Sequence, residues 1–254
     1  MTWFEHGTSR IFYEESGSGD PVLLLPGWAG SIEEFAALRR SLVAAGYRVI
    51  AADLPGSGQS EPMPRSYTAS YYEEDARSFS DLLQHLTTGP AHLVGFSDGG
   101  EVALLMAATT PDVARSVATW GAAGAIPAES LPMVAAMSNL VDSPIPPLQG
   151  FRDYLVATYG EDNARASSQS FAAAVGAIGE RGGDISLSKG SNITCPVLLL
   201  VGENDFIVSP SYLSRLAAAI PGSESIVVEG AGHAVHEDRP EWLTQTILDW
   251  LGEH

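Results

Sequence analysis

Ser97 is the residue with the clearest chemical potential, because it lies within Gly95-Phe96-Ser97-Asp98-Gly99. An apolar run at 91–94 precedes this pentapeptide, and a helix-forming run at 101–108 follows it. Glycines on both sides of the serine permit a strand-to-helix turn that is too tight for larger side chains. Such a turn lifts the serine hydroxyl out of the carboxyl end of a sheet. The pentapeptide therefore predicts an accessible nucleophile.

A serine hydroxyl needs a base to take its proton, and the base needs a carboxylate that orients it. Asp205 and His233 each follow directly after a predicted strand late in the chain. The carboxyl ends of parallel strands meet at one edge of a sheet, and this edge also carries the serine turn. We therefore expect Ser97, His233 and Asp205 to form a catalytic triad, in the chain order serine, acid, histidine.

Other assignments remain open at this point. Asp205 could instead be a turn residue or a helix cap ahead of Ser209-Pro210, a common function of aspartate in loops. Glu203 is a second candidate for the acid, and His236 competes with His233 for the base. The glycines at 230 and 232 favour His233, since they leave room for a mobile imidazole.

Acyl transfer also develops an oxyanion, which converging backbone N–H groups must stabilise. We expect one donor to be the N–H of Asp98, directly after the nucleophile. The second donor is expected from Trp28, which follows the apolar run 22–25 and Pro26-Gly27. The indole of Trp28 could also form one wall of the acyl pocket.

The elements that must position these residues alternate between apolar β-type runs and helical runs. This alternation predicts an α/β fold, with a mostly parallel central sheet and helices on both faces. The predicted strands are 11–14, 22–25, 48–52, 91–94, 116–120, 197–201 and 225–228. The predicted helices of the core are 33–45, 71–86, one that begins near Pro210, and 241–251.

The segment 123–192 breaks this alternation, since it contains no convincing strand and is interrupted by prolines. We interpret it as a helical cap inserted between core parts 1–122 and 193–254, over the edge where open α/β sheets bind ligands. Met133 and Met137 are predicted to bind substrate from this cap. Its helical stretches are expected near 131–140, 151–159 and 163–178, and further candidate pocket residues are Leu131, Leu140, Phe151 and Tyr154.

Length and composition narrow the class of protein. A chain of 254 residues with 45% hydrophobic residues is expected to form one domain with a sizeable core. Thirteen Lys and Arg against 31 Asp and Glu give a net charge of −18, which argues against nucleic acid or anionic membranes as partners. We expect a small-molecule ester as the substrate, no cofactor or metal, and a monomer or small homo-oligomer.

The location expected from the sequence is cytoplasmic. The first residues lack the basic region and apolar core of a secretory signal, and no stretch is apolar long enough to cross a bilayer. The single cysteine, Cys195, excludes an internal disulfide and is interpreted as an inert core thiol.

At these positions the chain resembles the α/β-hydrolase superfamily over essentially its whole length. The resemblance implies the α/β-hydrolase fold and a serine that acts in hydrolysis. Haloalkane dehalogenases and epoxide hydrolases are disfavoured, because they need a carboxylate in place of Ser97. The stretches that carry the resemblance are Pro26-Gly27-Trp28, 53–60, 95–99, 202–205 and Gly232-His233.

A narrower likeness is to the valacyclovir hydrolase (biphenyl hydrolase-like) enzymes. In that family the aspartate after the nucleophile recognises the α-amino group of amino-acid esters, and Asp98 holds the matching position; it could alternatively only cap the following helix. Trp28-Ala29 is bulkier than the family pattern, and the cap is only loosely similar. The likeness rests on Ser97-Asp98-Gly99-Gly100, Trp120-Gly121-Ala122, Tyr159-Gly160 and Cys195-Pro196.

The sequence thus predicts a serine hydrolase acting on small carboxylic esters, with α-amino acid esters as a candidate subclass. Carbon–carbon bond hydrolases and cofactor-free perhydrolases use the same triad and remain alternatives. A hydrolase-like receptor that binds ligand with little turnover is a further alternative from a different functional class.

Overall fold

The computed structural model describes residues 2–254, which build an eight-stranded sheet in the order β1-β2-β4-β3-β5-β6-β7-β8. Strand β2 runs antiparallel to both of its neighbours, and the pairs from β4 to β8 are parallel. The strands are β1 (Thr2–His6), β2 (Ser9–Ser16), β3 (Pro21–Leu25), β4 (Arg48–Ala52), β5 (Ala91–Phe96), β6 (Ala114–Trp120), β7 (Val197–Gly202) and β8 (Glu224–Val228).

Helices cover both faces of this sheet, as the sequence predicted. Helices α1 and α9 contribute to the core cluster on one face, and α2, α3 and α7 to the cluster on the other. The core helices are α1 (Ala36–Ala44), α2 (Tyr71–His85), α3 (Asp98–Thr109), α7 (Pro210–Ala219), the short α8 (Val235–Asp238) and α9 (Pro240–Glu253).

Strand β3 shows why its sequence is uniformly apolar. Successive side chains of a strand point to opposite faces, so a strand covered on both sides must be hydrophobic at every position. Leu23 and Leu25 belong to the cluster with α2 and α3, whereas Val22 and Leu24 belong to the cluster with α1 and α9. The central position of β3 also places the loop after it beside the serine turn.

Between β6 and β7 the chain forms three helices, α4 (Leu131–Met137), α5 (Pro146–Tyr159) and α6 (Glu161–Glu180). Helices α4 and α5 both pack against α6. An isolated antiparallel bridge joins Ala125 to Asp184, where this helical segment leaves and rejoins the core. The observed helices agree with the three helical stretches predicted there, although α5 begins five residues earlier.

The structure adds elements that the sequence analysis missed. Strand β1 pairs with β2 through a tight turn at Gly7, which has a φ of 57°. The predicted helix 33–45 begins instead with a 3-10 turn over Ile32–Phe35, and the side chain of Ser31 caps that turn by accepting the N–H of Glu33. Cys195 is half-buried ahead of β7, and burial raises the pKa of its thiol.

Every helix within residues 2–254 is too short or too polar to cross a bilayer.

Candidate active site

Ser97 sits on the turn between β5 and α3 with φ 51° and ψ −117°, a backbone conformation that is strained for a residue with a side chain. The flanking glycines make this turn possible. A Cβ on Gly95 would collide with the carbonyl of Gly99, and a Cβ on Gly99 would collide with the carbonyl oxygens of Leu25 and Pro26. The backbone of this turn therefore leaves no room for a side chain at 95 or 99, as expected from the sequence.

The structure brings Ser97, His233 and Asp205 into one hydrogen-bonded chain. The Ser97 Oγ lies 3.0 Å from His233 Nε2, and His233 Nδ1 lies 2.8 Å from Asp205 Oδ2. A carboxylate only accepts hydrogen bonds, so Nδ1 carries the proton and Nε2 is free to accept the serine proton. This is the arrangement needed to activate a hydroxyl.

Asp205 makes the hydrogen bonds expected of a turn residue and also one to His233. Its Oδ1 accepts the N–H groups of Ile207 at 2.8 Å and Val208 at 2.9 Å, which fixes the turn after β7. Its Oδ2 remains for His233. The competing acid, Glu203, is exposed and accepts the N–H of Gly230 instead, away from the imidazole.

Gly121 explains how the imidazole of His233 reaches the serine. This residue follows β6 with a φ of 69°, and a Cβ there would lie 2.8 Å from His233 Cε1. Any side chain at 121 would therefore push the imidazole away. The ring of Phe96 also packs against His233, with the ring centroids 5.0 Å apart.

The loop after β3 places Trp28 beside the nucleophile. Its indole stacks on Phe171 of α6 with centroids 4.1 Å apart, and its Nε1 donates to Tyr67 Oη at 3.1 Å. The next residue, Ala29, has a φ of 61° and donates its N–H to Ser57 Oγ. Within residues 2–254 the backbone N–H of Trp28 has no acceptor, and the N–H of Asp98 belongs to the unpaired first turn of α3.

A cavity of about 630 Å³ opens above Ser97, between the sheet edge and the three inserted helices. The two predicted residues Met133 and Met137 line it, as do the candidates Phe151 and Tyr154. Two further candidates do not: Leu140 is 1% exposed in the core, and Leu131 packs against Gly179 of α6. Helical spacing alone could not separate these cases, because both faces of α4 and its continuation are apolar.

The charged side chains that line the cavity are all acidic, and in the described part of the lining there is neither Lys nor Arg. Asp98 is 7% exposed, and its Oδ1 accepts the hydroxyl of Tyr71 at 2.8 Å. Burial raises the pKa of this carboxyl group, although the Tyr71 hydroxyl opposes the shift. The other acidic lining residues are Glu34, Glu101 and Glu237.

Glu101 is a residue of the site that the sequence analysis did not single out. Its Oε1 accepts the N–H groups of Ala123 and Gly124 at 2.8 and 2.7 Å, and its Oε2 accepts the hydroxyl of Ser186 at 3.0 Å. Burial raises the pKa of Glu101 to about 7. This carboxylate therefore holds the start of the helical segment onto α3.

Residues 22–246 match the model of the alpha/beta hydrolase family. The chain belongs to this family.

Relatives of this alpha/beta hydrolase cover nearly its full length. Serine hydrolase BPHL of Mus musculus is 29% identical over 250 residues, which span 95% of this chain and 83% of BPHL. The 2-hydroxy-6-oxononadienedioate/2-hydroxy-6-oxononatrienedioate hydrolase of Paraburkholderia phymatum is 28% identical over 276 residues, or 98% of this chain and 93% of that protein. A malate-bound esterase from Thermogutta terrifontis matches with a TM-score of 0.72 and 26% identity, covering 96% of this chain and 94% of the esterase.

These similarities confirm the predicted fold and the likeness to the biphenyl hydrolase-like enzymes. They support a hydrolase acting on a small molecule. Because these identities are below 30%, they do not identify the substrate, which must be inferred from the residues of the site.

Proposed function

We propose that this alpha/beta hydrolase is a serine hydrolase that cleaves small carboxylic esters through an acyl-enzyme on Ser97. The observation that carries the proposal is the continuous hydrogen-bonded chain from Asp205 through His233 to Ser97, which ends in a largely apolar cavity. Such a cavity accommodates the apolar part of an ester while the hydroxyl attacks its carbonyl.

In this mechanism the Ser97 hydroxyl passes its proton to His233 Nε2 as its oxygen bonds to the carbonyl carbon. Asp205 stabilises the imidazolium that forms, through the 2.8 Å hydrogen bond to Nδ1. The backbone N–H groups of Trp28 and Asp98 stabilise the oxyanion, a contribution of about 3 kcal/mol for each well-placed donor. His233 then protonates the leaving alcohol, and the same base activates a water that releases the acid.

The experiment that tests this proposal compares wild type with Ser97→Ala and a matched control, Ser130→Ala. Ser130 also lines the cavity, but its hydroxyl donates to the carbonyl of Pro127 and does not contact His233. We expect p-nitrophenyl acetate turnover and fluorophosphonate labelling in wild type and in Ser130→Ala, and neither in a folded Ser97→Ala. A wild-type protein that binds esters without labelling or turnover would be a receptor, and the proposal would be wrong.

The finer part of the proposal concerns Asp98 as the site for the amine of α-amino acid esters. Its buried carboxyl group faces the cavity with a hydroxyl partner and without a cationic one among the described residues. An ammonium group placed there would favour the ionised carboxylate that burial otherwise disfavours. The absence of Lys and Arg from the described lining acts in the same direction.

The test of Asp98 is a comparison of kcat/KM for an α-amino ester and its des-amino analogue. We expect wild type to prefer the amino ester, and Asp98→Asn to lose most of that preference while the des-amino rate changes less. Equal preferences in the two proteins would show that Asp98 only places an acidic group in the first turn of α3 and holds Tyr71.

A dicarboxylate substrate, of the kind named for the Paraburkholderia hydrolase, fits this cavity poorly. Its described lining holds four acidic side chains and neither Lys nor Arg, so a buried ligand carboxylate would find no cationic partner there, and each ionised lining carboxylate would repel it. We expect a neutral ester to exceed its ω-carboxylate analogue in kcat/KM by at least about tenfold, a difference of 1.4 kcal/mol. The reverse order would favour the carbon–carbon bond hydrolase alternative.

A further inference from the structure

His236, three residues after the base, lines the same cavity but takes no part in the hydrogen-bonded chain at Ser97. Its Nδ1 lies 3.0 Å from Nε1 of Trp120, a fully buried residue of β6. An indole N–H can only donate, so Nδ1 must be the acceptor. The neutral imidazole of His236 therefore carries its proton on Nε2.

The ring of His236 is held in this orientation by aromatic neighbours. Its ring packs edge-on against Phe96 and Phe35, with ring centroids 4.6 and 5.2 Å apart, and also contacts the Trp120 ring. Burial lowers its pKa to about 4, so the ring is neutral at pH 7. With Nδ1 bound to the Trp120 indole and no acceptor for Nε2 among residues 2–254, the Nε2–H is an unpaired donor on a side chain that lines the cavity.

The Phe96 ring that His236 and His233 both contact indicates which part of an ester this donor meets. Phe96 precedes the nucleophile, and its ring contacts both His233 and His236. His233 must deliver its proton to the leaving oxygen, so the leaving alcohol lies on the His233 side. Asp98 follows the nucleophile and contacts Tyr71 on α2 instead.

The charges near His236 limit the chemistry of its ligand. Glu237 follows it directly and lines the same cavity, and neither Lys nor Arg lies in the described lining, so an anionic acceptor would meet a like charge and find no cationic partner. A neutral ether, hydroxyl or carbonyl oxygen can accept the Nε2–H without this repulsion.

We propose that His236 Nε2 forms a leaving-group subsite, which binds a neutral oxygen acceptor in the alcohol part of the substrate. The inference rests on the proposed esterase function and adds a preference for the alcohol part of the substrate. Preferred esters carry a second oxygen in the alcohol, a few bonds from the ester oxygen. A purely alkyl alcohol would leave the donor without a partner when it displaces water.

The test uses two nearly isosteric acetates, 2-methoxyethyl acetate and butyl acetate, and takes the ratio of their kcat/KM values. The ratio is independent of the fraction of folded enzyme. The variants are His236→Phe, which keeps a ring but removes the donor, and His236→Gln, whose amide N–H can replace Nε2–H. His85→Phe, an exposed substitution at the end of α2, is the matched control.

We expect wild type and His85→Phe to prefer the methoxyethyl ester, and His236→Phe to lower that preference roughly three- to tenfold. His236→Gln should recover part of it. An unchanged ratio in His236→Phe, or equal losses in the Phe and Gln variants, would overturn the subsite, the second because disturbed packing would then explain the effect. Absence of any Ser97-dependent turnover in wild type would instead overturn the esterase function, and the subsite with it.

Discussion

Tyr159, at the end of α5, links the inserted helices to the loop that carries Trp28. Its hydroxyl donates to the carbonyl of Ala29 at 2.8 Å and accepts the N–H of Gly58 at 2.7 Å. Tyr154, one turn earlier on the same helix, donates to the same carbonyl at 3.2 Å. Ala29 holds a positive φ, so its conformation depends on contacts of this kind.

We expect Tyr159→Phe to lower the free energy of unfolding by about 2 kcal/mol, at about 1 kcal/mol for each of two hydrogen bonds. The Gly58 N–H loses its acceptor, whereas the Ala29 carbonyl keeps Tyr154. Tyr154→Phe is the matched control and should cost less than about 1 kcal/mol, since it removes one long bond whose acceptor stays paired. Urea unfolding of the three proteins measures both differences.

The same substitution should also affect the reaction. If Tyr159 holds the loop that presents the Trp28 N–H to the oxyanion, Tyr159→Phe lowers kcat more than it raises KM, because this donor acts in the transition state. We expect a loss of kcat of roughly three- to tenfold, and a smaller one in Tyr154→Phe. Equal stabilities and equal kcat values for the two variants would refute the reasoning.

Two further predictions concern the backbone of the turn and the buried acid beside it. Gly99→Ala should destabilise the protein by more than about 3 kcal/mol, because its Cβ would meet two backbone carbonyl groups. The matched control Gly176→Ala places its Cβ in open space on α6 and should stabilise the protein by about 0.5–1 kcal/mol. Thermal unfolding measures both effects, and equal shifts in Tm would contradict this prediction. Glu101 binds its proton more tightly folded than unfolded, so its contribution to stability falls as the pH rises from about 4.5 to about 7. Glu101→Gln should therefore reduce the difference in stability between pH 5 and pH 8 by on the order of 2 kcal/mol, as judged by urea unfolding at both values, and an unchanged difference would speak against it.

Most core elements could be predicted because their patterns are local. Strands buried on both faces are continuous apolar runs such as 22–25 and 197–201, and glycines or prolines bound the helices. Strand β1 was missed because its residues are partly exposed and its pairing with β2 supplies the stabilisation. The pattern of a single edge strand carries too little apolar signal to predict it.

The candidate site shows the same division. Ser97, His233 and Asp205 could be proposed from residue type, chain order and position after strands, and the structure brings them within hydrogen-bonding distance. Glu101 carries no such signal, and His236 was considered only as a competing base. Their roles depend on the backbone N–H groups of 123–124 and on the indole of Trp120, which lie far from them in the chain.

The sequence by itself determined the fold class and the three groups that can carry the chemistry, because strand patterning, a glycine-bounded turn and chain order are all short-range properties. Only the tertiary structure decided which residues of the helices between β6 and β7 line the cavity, that the charged side chains there are acidic, and which imidazole nitrogen bears a proton. Those features arise where distant segments pack together, and the direction of a side chain or the tautomer of a ring is set by the partner it meets there.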